Sequence, residues 1–162
     1  MKARPTTDYA KSALFNILEH KIDFTGLRVL DLFCGTGSIG FEFLSRGAKE
    51  VIAVDNDYRS ADFCNKFARE LGYEKQYRAY KNDCLRAVKQ LIRQFELVFC
   101  DPPYTWPDHA KLVTTVMEGN LLVPGGILVI EHGVKTNLET QPFYTETRKY
   151  GNVFFSFFTK PS

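Results

Sequence analysis

The sequence predicts an α/β domain: a mostly parallel sheet with an antiparallel C-terminal end and helices on both faces. Two observations lead to the parallel sheet. Short apolar runs alternate with helical periodicity from Arg28 onward, which is the pattern of β-α-β units. The runs are continuous rather than polar-apolar alternating, as in strands covered on both sides. A third observation gives the antiparallel end: Phe143 to Tyr150 and Asn152 to Phe158 are β-prone and separated by little more than Gly151.

The elements follow in order. Ala10, Leu14, Ile17 and Leu18 share one face of a first helix, with Thr7 or Asp8 as its N-cap. Val29 to Leu32 and Val51 to Val54 read as strands, with a helix between them. Ala61, Cys64, Ala68 and Leu71 form the inner stripe of the next helix, which Gly72 is placed to end. A weaker strand lies near Gln76 to Tyr80, and Leu85 to Ile92 is helical. Leu97 to Cys100 is a strand, Pro107 suits the first turn of a helix running to about Glu118, and Leu122 to Gly126 turns the chain into a strand at Ile127 to Ile130.

A chain of 162 residues matches one compact domain, and residues 1–162 are expected to form a single one. A hydrophobic fraction of 44% with 14 Phe and 8 Tyr supplies core material and argues against disorder. No apolar run approaches the roughly 20 residues that span a bilayer, and the opening residues lack the apolar centre of a secretion signal. A cytoplasmic protein with no membrane partner is expected, as a monomer. Cys34, Cys64, Cys84 and Cys100 form no C-x-x-C pair and have no clustered His, so no metal is expected and buried reduced thiols are. The formal net charge of +2 permits a polyanionic partner without demanding one.

Chemistry concentrates in two turns. Asp31-Leu32-Phe33-Cys34-Gly35-Thr36-Gly37-Ser38-Ile39-Gly40 follows a strand and opens a helix, so its glycines permit a sharp turn and close approach to a ligand. Asp55 ends the next strand, where nucleotide-binding units place a carboxylate for ribose hydroxyls. A nicotinamide dinucleotide competes for this reading. Asp31 weighs against it, because its charge opposes a pyrophosphate at the helix start and suits the cationic S-adenosylmethionine. Phe33 and Asn56 join the candidate cofactor-binding set. Asn82 and Asp83 follow the third strand, either to contact adenine or to cap the next helix.

The second turn is Asp101-Pro102-Pro103-Tyr104, directly after the fourth strand. Two prolines restrict it. The Asp101 carboxylate and the Pro102 carbonyl are acceptors for the two hydrogens of an exocyclic amine, and Tyr104 offers a face on which an extruded base can stack. Asp101, Pro102 and Tyr104 are therefore the candidate catalytic residues. Trp106 extends the stacking surface or acts as a half-buried lid, and His109 and His132 are expected in surface or capping roles.

These motifs resemble the RsmD-like methyltransferases, which modify a guanine exocyclic amine in bacterial small-subunit ribosomal RNA. The resemblance rests on Arg4-Pro5-Thr6 with Asp8, Ala13 to Leu18, Asp31 to Gly37 with Gly40 and Glu42, Leu44 to Ala48, Asp101 to Tyr104, and Lys149-Tyr150-Gly151. It implies a Rossmann-like methyltransferase fold of seven strands with the last antiparallel, S-adenosylmethionine as cofactor, and ribosomal RNA or a small-subunit particle as partner. It carries cofactor roles onto Asp31, Gly35, Gly37, Asp55 and Asp83, and base-facing roles onto Asp101 and Tyr104. Family members usually carry a further basic, strand-forming segment before the Arg-Pro-Thr element, whereas this chain begins almost at that element, so a weaker grip on RNA is expected. Alternatives are an amino-methyltransferase acting on adenine in DNA or RNA, a nicotinamide-dependent oxidoreductase, and a non-catalytic nucleic-acid-binding module that kept the fold.

Overall fold

The computed structural model describes residues 7–162. The Arg4-Pro5-Thr6 part of the resemblance lies outside the described residues. Helix α1 (Asp8–Glu19) leads into β1 (Arg28–Leu32), α2 (Ser38–Ser45), β2 (Glu50–Asp55), α3 (Tyr58–Glu70) and β3 (Tyr77–Lys81). Then come α4 (Cys84–Gln90), β4 (Phe95–Cys100), α5 (His109–Glu118), β5 (Leu122–His132), β6 (Tyr144–Tyr150) and β7 (Val153–Thr159). The strands make one seven-stranded sheet in the order β3-β2-β1-β4-β5-β7-β6. β1 to β5 are parallel, and β7 runs antiparallel to both β5 and β6.

The continuous apolar runs have the expected cause. Val29, Leu97, Phe99, Ile127 and Val129 face α1, α2 and α3, while Leu30, Leu32, Val98, Cys100, Leu128 and Ile130 face α4 and α5. Successive strand residues point to opposite faces, and both faces are core. Phe99, at 1% exposure, fills the sheet centre. Truncating such a buried aromatic to Ala costs about 3–5 kcal/mol.

The local signals act largely as the residues suggest. The Thr7 hydroxyl accepts the Ala10 amide at 3.1 Å and caps α1. Gly72, at φ +80°, follows the last turn of α3. At the β3 edge, the Asn65 side chain accepts the Ala79 amide and donates to the Ala79 carbonyl, both at 2.9 Å. It thereby occupies backbone groups that an edge strand otherwise leaves open.

Four local expectations need correction. Leu71 is 46% exposed rather than part of the inner stripe of α3, because the helix ends one residue before it. α4 stops at Gln90, and the chain turns extended at Leu91, leaving Ile92 at 97% exposure. Pro107 precedes the first turn of α5 instead of entering it. Leu122 is already paired with Phe95, so Val123 to Gly126 form a bulge inside β5 before pairing resumes at Leu97 and Ile127. Gly125 takes φ +81° in that bulge.

Candidate active site

Every chemistry-bearing segment singled out above lies at the C-terminal end of a parallel strand. Asp31 sits inside β1, at 1% exposure. The loop after β1 holds Phe33, Gly35 and Gly37 at φ +58°, +54° and +81°. Left-handed backbone is uncommon for a residue with a Cβ, so Phe33 is held there by its surroundings. Its ring meets Trp106 edge-on at 5.0 Å between centroids.

The glycines serve the protein's own packing as much as any ligand. A Cβ on Gly37 would lie 2.7 Å from the Phe41 ring and 3.0 Å from both the Cys64 sulfur and the Tyr77 hydroxyl oxygen. A Cβ on Gly40 would lie 3.0 Å from Val51 and 3.4 Å from Asp31 Oδ2. The loop is thus pressed down on α3 and β3 from above. Cys34 and Cys64 meet beneath it, and all four cysteines are buried thiols outside any disulfide.

Asp55 is 5% exposed and ties the loops together. One carboxylate oxygen accepts the Gly35 amide at 3.0 Å and the other the Asp57 amide at 3.0 Å. Asn56, next to it, is exposed. Asp57 caps α3 by accepting the Arg59 amide at 2.9 Å. Asp83 is exposed and caps α4 through the Arg86 amide at 2.9 Å. Asn82 accepts the Asp83 amide and donates to Gln90. The capping alternative therefore holds at Asp83, whose second oxygen still has acceptor capacity.

The second turn lies beside the first. The Asp101 amide donates to the Leu32 carbonyl at 3.2 Å, which fixes the β4 turn against the β1 loop. Asp101 is 3% exposed and Pro102 is buried, while Pro103 is exposed. Tyr104 is half-buried, with its hydroxyl donating to Glu131 Oε2 at 3.3 Å. Its ring rests on Gly133, where a Cβ would lie 2.6 Å from Tyr104 Cδ2. The Trp106 amide closes the turn on the Pro103 carbonyl at 2.9 Å.

Three features escaped the sequence reading. Glu131 is a carboxylate at 2% exposure closing an otherwise apolar strand, the same signal that marks Asp31 in β1. His109 and His132 are buried, at 4% and 2%, not on the surface. His132 stands in a hydrogen-bonded chain. Its Nδ1 meets the Gly133 carbonyl at 3.0 Å and its Nε2 the Ser156 hydroxyl at 2.7 Å, with Thr147 and Tyr144 beyond. Burial lowers both imidazoles below the ordinary histidine range, against the opposing pull of the Trp106 and Gly133 carbonyls.

A buried carboxylate favours a cationic neighbour, and Asp31, Asp55 and Asp101 place three along one strand edge. That donor set fits the cationic S-adenosylmethionine and opposes a pyrophosphate. No group of three potential metal ligands occurs among the described residues.

Residues 1–159 match the family described as Conserved hypothetical protein 95. The chain belongs to this RsmD-like family of S-adenosylmethionine-dependent RNA methyltransferases. YlbH of Bacillus subtilis, named as a candidate rRNA methyltransferase, is 36% identical over 150 residues, spanning 90% of this chain and 80% of its own. The ribosomal RNA small subunit methyltransferase D of Haemophilus influenzae is 34% identical over 131 residues, spanning 79% of this chain and 67% of its own. An RNA methyltransferase from Salinibacter ruber, solved with S-adenosyl-L-homocysteine, superposes with a TM-score of 0.72 at 18% identity over 98% of this chain and 95% of its own. It shares the Rossmann-like fold. Among the described residues no helix is long and apolar enough to cross a membrane.

Proposed function

We propose that this RsmD-like enzyme transfers the methyl group of S-adenosylmethionine to the exocyclic amine of a guanine in small-subunit ribosomal RNA. The observation that carries the reading is the contact between the two turns: the Asp101 amide on the Leu32 carbonyl, and Trp106 on Phe33. It sets an amine-accepting turn directly against a loop suited to the cofactor.

S-adenosylmethionine, when bound, supplies a sulfonium methyl and leaves as the neutral thioether. The loop of Phe33, Gly35 and Gly37 cradles it, with Asp31 countering its positive charge. Asp55 accepts from the ribose hydroxyls beside Asn56, and Asn82 and Asp83 border the adenine. Across the turn, Asp101 and the Pro102 carbonyl accept the hydrogens of the target amine. These acceptors direct its lone pair at the methyl carbon, and the Asp101 carboxylate takes up the proton released as the new C–N bond forms. Tyr104 stacks on the extruded base.

The relatives' names support the substrate particle, and the resemblance of the Arg4-Pro5-Thr6 opening and of the tail supports the guanine. Labelled S-adenosylmethionine, incubated with the protein and under-methylated small-subunit particles, should place its methyl on the 2-amino group of a guanine. Label on an adenine amine would select the alternative acceptor, and calorimetric binding of NADH without response to S-adenosylhomocysteine would remove the methyltransferase reading.

A further inference from the structure

Beyond the glycine loop, the fold holds a hollow beside Tyr104. Its volume is about 360 Å³, within the roughly 300–1,000 Å³ of small-ligand pockets. Tyr9, Tyr104 and Tyr150 contribute aromatic walls, and Glu131 lines it from β5. Tyr9 is 67% exposed and meets Tyr150 edge-on at 5.9 Å, so the rim carries aromatic surface open to a flat base.

The position of Glu131 follows from strand register. The last residues that β4 and β5 pair with each other are Cys100 and Ile130, so Asp101, the first residue past β4, follows in register with Glu131, which β7 still holds through Phe155. Phe99 and Val129, two residues earlier, belong to the same face, and side chains alternate, so both carboxylates continue on that face. Neighbouring strands run about 4.8 Å apart. One base edge can therefore meet both groups. Glu131 accepts the Tyr104 hydroxyl on Oε2, and a carboxylate has about four lone-pair positions, which leaves capacity for a further donor.

We infer that Glu131 is the specificity-determining acceptor of this enzyme, reading the N1–H of the target guanine while Asp101 holds its 2-amino group. The inference rests on the guanine reading above and adds the residue that enforces it. Guanine presents adjacent donors, N1–H and the 2-amino group, to two adjacent acceptors. Adenine and cytosine present an amine beside a ring nitrogen lone pair, and that lone pair would face the Glu131 carboxylate. Two acceptors that face each other have no hydrogen to share. A buried acceptor denied its donor discriminates strongly between substrates. Tyr104, packed on Gly133 and bonded to Glu131, keeps the carboxylate in place.

The test uses small-subunit particles reconstituted with guanine, 2-aminopurine or adenine at the mapped position. 2-Aminopurine keeps the methylated amine but replaces N1–H by a lone pair. The unaltered enzyme should methylate guanine on the order of 100-fold faster than 2-aminopurine. Glu131→Gln can turn its amide toward a lone pair, so the ratio should fall to within a few-fold, with S-adenosylhomocysteine affinity unchanged. Tyr104→Phe, which removes the hydroxyl bonded to Glu131 but leaves the acceptor itself, should narrow the ratio less than Glu131→Gln does. The inference is overturned if the unaltered enzyme treats both bases alike, if Glu131→Gln slows both equally, or if Tyr104→Phe narrows the ratio as much. Methylation of adenine with none of guanine would instead overturn the guanine reading itself.

Discussion

The Asp55 carboxylate accepts the amide of Gly35 at 3.0 Å across 20 residues of sequence, joining the end of β2 to the turn of the β1 loop. Its other oxygen accepts the Asp57 amide, so one side chain positions both the glycine loop and the start of α3. A group that organises the loop and is proposed to face the ribose should be sensitive in two measurements.

Asp55→Ala should weaken S-adenosylhomocysteine by about 1.5–3 kcal/mol, the usual worth of a hydrogen bond to a charged group, and lower the melting temperature through the stranded Gly35 amide. Calorimetry and a thermal scan read the two effects. An unchanged dissociation constant would rule out the ribose role and leave Asp55 as a loop tie alone.

Asp101→Ala should leave cofactor affinity within a few-fold of the parent and reduce methyl transfer at saturating cofactor by a factor on the order of 100 to 1,000. Tyr104→Ala should slow transfer by lost stacking worth roughly 1–3 kcal/mol, whereas Tyr104→Phe should keep most activity. Equal loss of binding and activity in Asp101→Ala would move that residue into the cofactor site.

Gly133→Ala should lower methyl transfer while sparing the cofactor. The added Cβ would press on the Tyr104 ring at 2.6 Å, and the half-buried ring is free to shift toward the hollow. Single-turnover rates and S-adenosylhomocysteine titration separate these effects. Retained rate would show that ring placement is unimportant.

Stability should fall as pH drops below about 6.5. His109 and His132 have lowered folded-state pKa values, so the unfolded chain takes up protons there that the fold resists. Their contribution is complete above the ordinary histidine value and is lost as pH falls toward the folded one. Each limits the slope to about 1.4 kcal/mol per pH unit. His132→Gln should flatten the profile between pH 7 and 5 in denaturant titrations (~2 pH units). An unaltered slope would show that burial does not hold the ring neutral.

What the residues reveal locally is uneven. Thr7, Gly72 and the hairpin at Gly151 are legible because a cap or a positive φ depends on a few neighbouring atoms. Leu71 and Ile92 misled because helical periodicity carries no stop signal of its own. The two histidines misled because burial depends on what packs over them. In the site, the Asp31 loop and the Asp101 turn were visible as unlike residues in apolar surroundings. Glu131 carries the same signal but stands in no recognisable turn.

Strands buried on both faces, alternating with helices, are legible in residue type alone, as are a glycine-rich turn after the first strand and an acidic, proline-rich turn after the fourth. Residue type and spacing suffice there, since a continuous apolar run is stable only between two layers. That β1 and β4 are neighbours, that Asp101 locks onto Leu32, and that Glu131 follows Asp101 in register and accepts the Tyr104 hydroxyl emerge from the folded chain. Those relations span 27 to 69 residues of chain and come from sheet order and register, which depend on how all the layers pack at once rather than on any local run.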